Sequence, residues 1–436
     1  MAYDIIIGRD ETDKERFGDR GLIFIGKGYV KMGQYTSLSN KIWMDIARSH
    51  VILIAGKRGS GKSYSLGAIA EELANLPPET AKNIAPVIFD TMGIFWTMKY
   101  KNEKDKPLLD EWGLKSKNLP AKVFVPFGRE KEYKEKQIPF DKTFALLPSE
   151  LDAEDWITIF DLEMTSLPGV LLVRIITNLR DKEDKFTIKE IQKEIHDDSH
   201  ASKETKEIVS ALFSAADTWG IFSKTKEGTE ISALVNAGTT TILDVSIYSS
   251  IGAFNVRALV ISLITRKLFD TRMTARKKEE LEALQHGQDY LSYKTTRKEP
   301  LVWIFIDEAH EFLPKEGKTP ATDALIQILR EGRQPGISLV LATQQPGQIH
   351  KDVMTQSDIV LVHRLTAQPD IEALNQIMQT YLLKNIKQQI DDLPALKGSA
   401  IILDDNSERI YPIRVRPRFT WHGGEAPTAV KAERKI

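Results

Sequence analysis

The chain has 436 residues, of which 42% are hydrophobic and 28% are charged, and its formal net charge at pH 7 is −1. Such a balance is typical of globular proteins and gives no bulk electrostatic reason to expect nucleic-acid binding, which would need local basic patches. The absence of cysteine excludes disulfides and thiolate metal sites. We find no signal-peptide pattern and no apolar run of membrane-spanning length, and therefore expect a cytoplasmic protein.

Residues 1–48 are predicted to form a small β element that leads into the first buried strand of the chain. The segments with strand character are separated by glycines and charged turns. They are Asp4–Gly8, Leu22–Ile25 and Gly28–Met32.

The most informative stretch is VILIAGKRGSGKSYSL, which begins at Val51. Its apolar start predicts a buried strand, and the periodic segment Leu66–Leu73 predicts a helix. Between them, GKRGSGKS fits the G-x-x-x-x-G-K-[ST] pattern of a phosphate-binding P-loop. In such a loop Lys62 reaches the β- and γ-phosphates of ATP and Ser63 is a ligand of Mg²⁺. The predicted nucleotide-binding residues are Gly56, Gly59, Ser60, Gly61, Lys62, Ser63 and Tyr64.

The apolar run Ile84–Phe89 predicts a second strand, which ends at Asp90. That carboxylate either points into the ligand crevice of an open α/β sheet or belongs to an ordinary strand-end turn, and the sequence leaves both open. The mixed-charge segment 99–136 predicts a solvated surface with one strand at Lys122–Val125.

From residue 149 to 237 the pattern is helical, with Ser149 or Asp152 as the first cap, and predicts an inserted helical subdomain. Strand character returns at Thr239–Asp244, and a long helix follows. Its continuation is either a solvated helix end or a DNA-facing patch. The basic residues concerned are Arg272, Arg276, Lys277, Lys278, Lys294, Arg297 and Lys298.

The most apolar run, Leu301–Ile306, ends in two acids, which is the Walker B arrangement of P-loop enzymes. Asp307 is predicted to hold Mg²⁺, and Glu308 to polarise the water that attacks the γ-phosphate. We expect these acids at the end of the strand beside the P-loop strand. The alternative is a pair of helix-capping acids.

The remaining core is predicted from a helix at Ala324–Arg333 and a buried strand at Ser338–Thr343, which ends in Gln344. A polar amide at that strand end can sense the γ-phosphate. Segments Ile359–Leu365 and Ser399–Leu403 complete the predicted strand set. A basic tail follows, which either braces a neighbouring subunit or is a solvated end. Its basic residues are Arg409, Arg414, Arg416, Arg418, Lys431, Arg434 and Lys435.

Together these motifs resemble the HerA–FtsK class of ring-forming DNA-pumping ATPases, and the HerA-like proteins most closely. The resemblance rests on GKRGSGKS, IFIDEAHEF, ILREGRQPGISLVLATQQP, DVMTQSDIVLVHRL and VRPRFTWHGG, in that order. It implies an α/β fold with a RecA-like P-loop NTPase core, in which a mainly parallel sheet is flanked by helices. The predicted divisions are a β element (1–48), a first core segment (49–148), a helical insertion (149–237), a second core segment (238–405) and a basic tail (406–436).

The resemblance also implies a hexameric ring around duplex DNA, with ATP and Mg²⁺ at subunit interfaces and an arginine finger from the neighbouring subunit. In EGRQPG the matching residue is Arg333, with Arg330 as second choice. Gln344 fits the sensor position of the family, and Arg48 is a candidate for a second arginine that acts in its own subunit. The predicted catalytic residues are Glu308, Arg333, Gln344 and Lys62.

Two departures from the family pattern stand out. HerA-like proteins usually begin with a larger β-barrel that docks partners, so we expect reduced docking through residues 1–48. Where the family has an acid after its conserved glycine, DTMGIFW keeps Gly93 but has Ile94. The tetrapeptide DEAH also occurs in RNA helicases, but we find no second tandem core and set that interpretation aside.

The leading functional prediction is an ATP-driven DNA translocase or helicase, often paired in this family with a nuclease in DNA end processing or in defence against foreign DNA. The alternatives are a non-translocating ATPase ring that scaffolds or regulates a partner effector, and a viral genome-packaging motor.

Overall fold

One mixed sheet organises the computed structural model, which describes residues 4–32, 35–249, 254–285, 297–378, 386–424 and 429. Its strands in the described chain are β1 (Ile5–Ile7), β2 (Leu22–Met32), β3 (Tyr35–Asp45), β4 (Val51–Ala55), β5 (Ile84–Asp90), β6 (Ala121–Pro126), β7 (Lys142–Phe144), β8 (Thr240–Asp244), β9 (Leu301–Ile306), β10 (Ile337–Thr343), β11 (Ile359–His363), β12 (Ser399–Asp404) and β13 (Arg409–Val415). The central strands are mostly apolar and are buried along almost their whole length because helices cover both faces of the sheet.

The strand order is β1-β3-β2-β13-β12-β11-β4-β10-β9-β5-β8-β6-β7. From β11 to β7 all neighbours run parallel, while β12, β13 and β2 pair in antiparallel fashion. This architecture confirms the predicted α/β class. We call the side of the sheet where the parallel strands end the carboxyl edge, which contains Ala55, Ile306 and Thr343. The opposite side, where Val51 and Ile337 begin their strands, is the amino edge.

The helices of the described chain are α1 (Glu11–Phe17), α2 (Lys62–Ala74), α3 (Pro78–Ala81), α4 (Lys106–Glu111), α5 (Glu130–Glu135), α6 (Ala153–Ile159), α7 (Leu167–Lys182), α8 (Ile188–Asp197), α9 (Lys203–Thr218), α10 (Ile231–Leu234), α11 (Phe254–Gln285), α12 (Thr322–Glu331), α13 (Lys351–Gln356), α14 (Gln368–Met378) and α15 (Ile386–Asp391). Helix α2 packs its apolar side against one face of the sheet, and the core of the other face includes α6 to α9, α11 and α12.

The predicted helical stretch after residue 149 contains four well-capped helices. Asp152, rather than Ser149, caps α6, because its carboxylate accepts the Asp155 N–H at 2.9 Å in a capping box. Ser166, Thr187 and Ser202 cap α7, α8 and α9 in the same way, so each helix begins at a side-chain oxygen acceptor.

Three predictions about the sheet were wrong. The Walker B strand β9 is not beside the P-loop strand β4, because β10 lies between them and pairs with both. The two predicted segments between Leu22 and Met32 are one bulged strand, because β3 pairs with β2 along its length. The strand set did not end at β12, because Arg409–Val415 forms β13, which joins the N-terminal hairpin to the core.

None of the described helices combines the length and apolar character needed to cross a bilayer. The predicted basic residues Lys294, Lys431, Arg434 and Lys435 lie outside the described residues.

Candidate active site

The P-loop follows β4 and has a backbone that only glycine accommodates. Gly59 and Gly61 have φ angles of +74° and +112°. A Cβ on Gly56 would lie 2.5 Å from Ser60 Oγ and 2.7 Å from the Cβ of His363. Because α2 begins at Lys62, its first N–H groups have no acceptor within the helix and are available to an anion. The loop therefore has the form of a phosphate cradle.

His363, which no sequence pattern singled out, supports this loop from below. Its Nδ1 donates to the Ser399 carbonyl at 3.0 Å, so its Nε2 accepts from the Ser65 hydroxyl at 2.9 Å. Burial lowers the pKa of His363 to about 4, which keeps the ring neutral. The imidazole thus ties the first turn of α2 to strand β12 without adding charge beneath the phosphates.

The two Walker B acids lie at the carboxyl edge near Lys62. Asp307 is buried, and its Oδ1 accepts the Glu308 N–H at 2.9 Å. Burial raises the pKa of Asp307, and the nearby Ser63 side chain offsets part of that rise. Glu308 has a φ of +52°, a strained conformation for a residue with a side chain and one that often marks functional sites.

The carboxylate of Glu308 has the environment of a general base. Burial and the neighbouring Asp307 raise its pKa to about 7, while Lys62 and the side chain of Gln344 act in the opposite direction. A base with a pKa near the working pH combines basicity with a useful ionised fraction. The structure thus brings together the predicted Lys62, Ser63, Asp307, Glu308 and Gln344.

His310 adds a polar link between the two strand ends, although its place in DEAH indicated no specific role. Its Nδ1 lies 3.2 Å from the Thr343 hydroxyl, which also accepts the Gln345 N–H at 3.1 Å. Burial lowers the pKa of His310 to about 4, and Lys62 adds to this effect. The neutral ring therefore connects the turn after β9 to the last residue of β10.

The residues at this edge fit a magnesium ion. Asp307 Oδ2 is buried with no hydrogen-bond partner among the described residues, and the Ser63 side chain is close to it. A carboxylate oxygen and a hydroxyl are ligands that Mg²⁺ accepts while retaining its waters and phosphate oxygens. Ser63 and Asp307 are thus the side chains that would hold the ion.

The predicted arginine finger is far from this cluster in its own subunit. Arg333 is exposed in the turn between α12 and β10, at the amino edge, and forms no ion pair within the described chain. Arg330 is held at 2.7 Å by Asp352. Arg48 also lies at the amino edge, before β4, and its guanidinium pairs with Asp13 at 2.7 Å. The prediction that Arg48 acts on the nucleotide of its own subunit was therefore wrong.

Asp90 is a buried turn residue rather than a ligand in the crevice. Its carboxylate accepts N–H groups from Gly93 at 2.7 Å, Ile94 at 3.1 Å and Phe95 at 2.8 Å. Burial and the adjacent Asp244 raise its pKa to about 7. The structure thus decides between the two roles that the sequence left open.

The basic C-terminal segment is internal, so both predictions for it were wrong for its two central arginines. Arg416 and Arg418 are fully buried and bind Glu71 of α2 at 3.2 and 2.8 Å. Burial alone would raise the pKa of Glu71, but Arg418 and Arg416 outweigh it and lower that pKa. The Tyr64 hydroxyl accepts the Arg418 N–H at 2.7 Å. The Tyr64 side chain is therefore engaged with this segment.

The predicted basic patch spans the last turns of α11 and the segment after it, and its arginines are engaged within the chain. Arg272 is buried and donates to the Pro335 carbonyl at 2.9 Å, and Arg297 pairs with Glu279 at 2.8 Å. Lys277 and Lys278 are exposed. Buried Arg272 thus fits neither of the two interpretations that the sequence left open, a solvated helix end and a DNA-facing patch.

The parallel sheet, the glycine cradle and the paired acids define a P-loop ATPase. Within that class, residues 30–268 match the family model described as "Helicase HerA, central domain". The match covers more than half of the chain, which therefore belongs to this family. Residues 251–373 also match the model described as "Zonular occludens toxin (Zot)".

Curated relatives agree with the family. The DNA double-strand break repair helicase HerA of Pyrococcus furiosus is 27% identical over 145 residues, which cover 32% of this chain and 24% of the relative. A probable DNA double-strand break repair helicase HerA of Methanocaldococcus jannaschii is 30% identical over 114 residues, covering 26% and 22%. The matched segments thus span about a quarter of these relatives.

Among solved structures, VirB4 of Thermoanaerobacter pseudethanolicus has the same fold, with a TM-score of 0.55 and 12% identity. The match covers 92% of this chain and 97% of VirB4. The likeness in fold therefore extends over most of the chain.

Proposed function

We propose that this chain hydrolyses ATP within a ring of identical subunits, as a hexamer in our prediction, and uses the energy to move along DNA. The observation that carries the proposal is the environment of Glu308, a partly buried carboxylate with a pKa of about 7 beside Lys62 and Gln344. The names of the HerA relatives support DNA as the substrate.

In the proposed reaction the P-loop N–H groups and Lys62 hold the triphosphate with its γ-phosphorus facing Glu308. The Glu308 carboxylate accepts a proton as water attacks that phosphorus, and the bond to the β–γ bridging oxygen breaks, so ADP and phosphate leave. Gln344 orients the water and responds to loss of the γ-phosphate. Ser63 and Asp307 would hold Mg²⁺, which would supply positive charge to offset that of the phosphates.

The position of Arg333 supports completion of the site by a neighbour. The side chain lies at the amino edge, whereas the cradle lies at the carboxyl edge of the same subunit. An arginine contributed across an interface accelerates phosphoryl transfer by about 10³- to 10⁵-fold. A ring that alternates these two edges around its interfaces gives each site its arginine.

The partner is also included in the proposal. A nuclease or another effector would use the motor in DNA end processing or in defence against foreign DNA, as the family resemblance implies. A viral packaging motor and a non-translocating scaffold are the competing assignments. They differ in what stimulates turnover, namely DNA for a motor and a protein partner for a scaffold.

The test compares the wild-type chain with Glu308→Gln. We expect the variant to bind ATP with wild-type affinity, measured by equilibrium dialysis, and to lose turnover by at least about 100-fold, because only proton acceptance is removed. Wild-type turnover should rise when long duplex DNA is added. Full activity in Glu308→Gln would contradict the assignment of the base, and indifference to DNA would contradict the motor.

A further inference from the structure

A cavity of about 470 Å³ lies far from the P-loop, under the N-terminal hairpin. Strands β2 and β3 form one wall, and the loop after α4, the end of α2 and Phe419 form the others. Asn75, which lines the cavity, is 13 residues after Lys62, so the rise of α2 separates the cavity from the phosphate cradle by roughly 20 Å. The cavity is thus a site distinct from the ATP site.

A β-bulge aims side chains of the hairpin into this cavity. Phe24 pairs with Trp43 and Lys27 pairs with Lys41, so the four residues Phe24–Lys27 of β2 oppose the three residues Lys41–Trp43 of β3. All four side chains therefore share one face, and all four line the cavity. Gly26 makes the bulge possible, because a Cβ there would lie 2.3 Å from the Arg414 carbonyl.

The two cavity lysines of the hairpin stand directly opposite each other. Like charges at paired positions of an antiparallel ladder are destabilising unless a counter-charge joins them. Lys115 and Lys117 line the same cavity. The one acidic residue in its lining, Glu72, is already bound to Arg416 at 2.8 Å. The cavity is therefore built for an anion.

Aromatic rings form the rest of the wall. The Phe24 ring lies 5.4 Å from Trp43 at 54° and 6.3 Å from Trp112 at 50°, so neither indole is covered by a parallel Phe24 ring. The Lys27 ammonium lies over the Trp112 ring at 4.7 Å from its centroid, that of Lys41 over Trp43 at 5.9 Å, and that of Lys117 over Phe419 at 5.0 Å. Rings flanked by ammonium groups are the combination that binds stacked bases and their phosphates.

From this geometry we propose that the cavity binds a segment of single-stranded nucleic acid, with a base against Trp43 and phosphates between Lys27 and Lys41. The inference rests on the proposed function only in taking DNA as the source of the strand, and it requires no ATP hydrolysis. Two other ligands fit the cavity less well. An acidic peptide would pair with the lysines but has no base to stack on the indole of Trp43. A free nucleotide lacks the phosphates of neighbouring nucleotides in a strand.

The test measures fluorescence anisotropy of a short fluorescein-labelled oligothymidylate with the full chain, without ATP. The double variant Lys27→Glu/Lys41→Glu should weaken binding by at least about tenfold and flatten its dependence on salt, since two phosphate contacts are lost. Trp43→Ala should weaken binding by about tenfold and Trp43→Phe by much less. The control Lys189→Glu, an exposed lysine on α8, should stay within about twofold.

Unchanged binding in the double lysine variant would overturn the proposal, and this variant stays informative if Trp43→Ala fails to fold. Displacement of the oligonucleotide by polyglutamate, with no response to Trp43→Phe or Trp43→Ala, would overturn it in favour of an acidic peptide. Equal displacement by thymidine monophosphate at the same phosphate concentration would overturn it in favour of a free nucleotide. Turnover without DNA should be normal in all variants, so a failure of the proposed ATPase appears in the wild type and is independent of this cavity.

Discussion

Both edges of the parallel sheet contain buried polar or charged groups, but the two edges differ in whether these groups have hydrogen-bond partners. At the carboxyl edge, Ser60 Oγ, Asp307 Oδ2 and Glu308 Oε2 are buried without a hydrogen-bond partner in the described chain. At the amino edge, His50 bridges Asp358 at 2.6 Å and Asp45 at 3.1 Å. The polar atoms of the first set are available to bind a ligand, whereas the side chains of the second set bind one another.

This difference separates function from stability within one sheet. Unpaired buried polar atoms cost about 1–3 kcal/mol each, so a chain retains them where a ligand compensates. Paired buried charges do not bind anything further, and removal of one partner leaves the other uncompensated. The charged residues of the amino edge therefore stabilise the fold. Arg333 differs from them because it is exposed and forms no ion pair within the described chain.

Arg333→Ala is the variant with the largest expected effect, because it tests whether the two edges meet in a ring. Turnover of the pure variant should fall by about 10³- to 10⁵-fold, or roughly 4–7 kcal/mol. In rings mixed with wild-type subunits, the loss of activity should be larger than the fraction of variant subunits. The matched control is Arg330→Ala, which removes a half-exposed ion pair with Asp352 from the same helix end. Strictly proportional loss on mixing would mean that Arg333 does not act across an interface.

The amino edge should show a defined dependence of stability on alkaline pH. Burial lowers the pKa of His50, but Asp358 and Asp45 outweigh it and raise the pKa to about 10, above the ordinary value of 6.5. Because the pKa of His50 is higher in the folded than in the unfolded state, the charged ring stabilises the fold fully below pH 6.5. This stabilisation is lost as the pH rises towards 10. We expect the free energy of unfolding in urea to fall by on the order of a few kcal/mol between pH 7 and 10.

The comparison that isolates His50 uses two aspartate variants. Asp358→Asn should flatten this decline, because it removes the largest favourable contribution to the charged ring. The surface variant Asp323→Asn, whose partner Lys318 is exposed, should keep the wild-type slope. A decline that is equally steep in both variants would show that other groups cause it.

The residues at the carboxyl edge were predictable because they belong to short, contiguous sequence motifs. A strand, a glycine loop and a helix start specify the cradle locally, and two acids after an apolar run specify the opposing group. The strand order was not predictable, because nothing local states that β10 inserts between β4 and β9. The sequence therefore predicted that Lys62, Ser63, Asp307, Glu308 and Gln344 lie together, but not which strands separate them.

The internal charges were misjudged for a related reason. A run containing Arg414, Arg416 and Arg418 is expected to be solvated, and the partner that buries two of them, Glu71, lies 345 residues before Arg416. The amino-edge pair of His50 and Asp358 is separated by 308 residues. Burial of a charge depends on such distant partners, which neither composition nor periodicity reveals.

The smallest expected effect, and the sharpest test of the contrast between edges, is a gain of stability in Asp307→Asn. Burial raises the pKa of Asp307 and thus disfavours its charged form, so the neutral amide should raise the free energy of unfolding by about 1 kcal/mol while turnover is lost. The control is Asp90→Asn on neighbouring strand β5, also buried and with a raised pKa. Because backbone N–H groups bond both Asp90 oxygens, its amide should instead lower stability by about 1–3 kcal/mol.

Urea unfolding of both variants without nucleotide measures the difference. If Asp307→Asn were destabilised as much as Asp90→Asn, the unpaired oxygen of Asp307 would be structural and would not mark a position for a ligand.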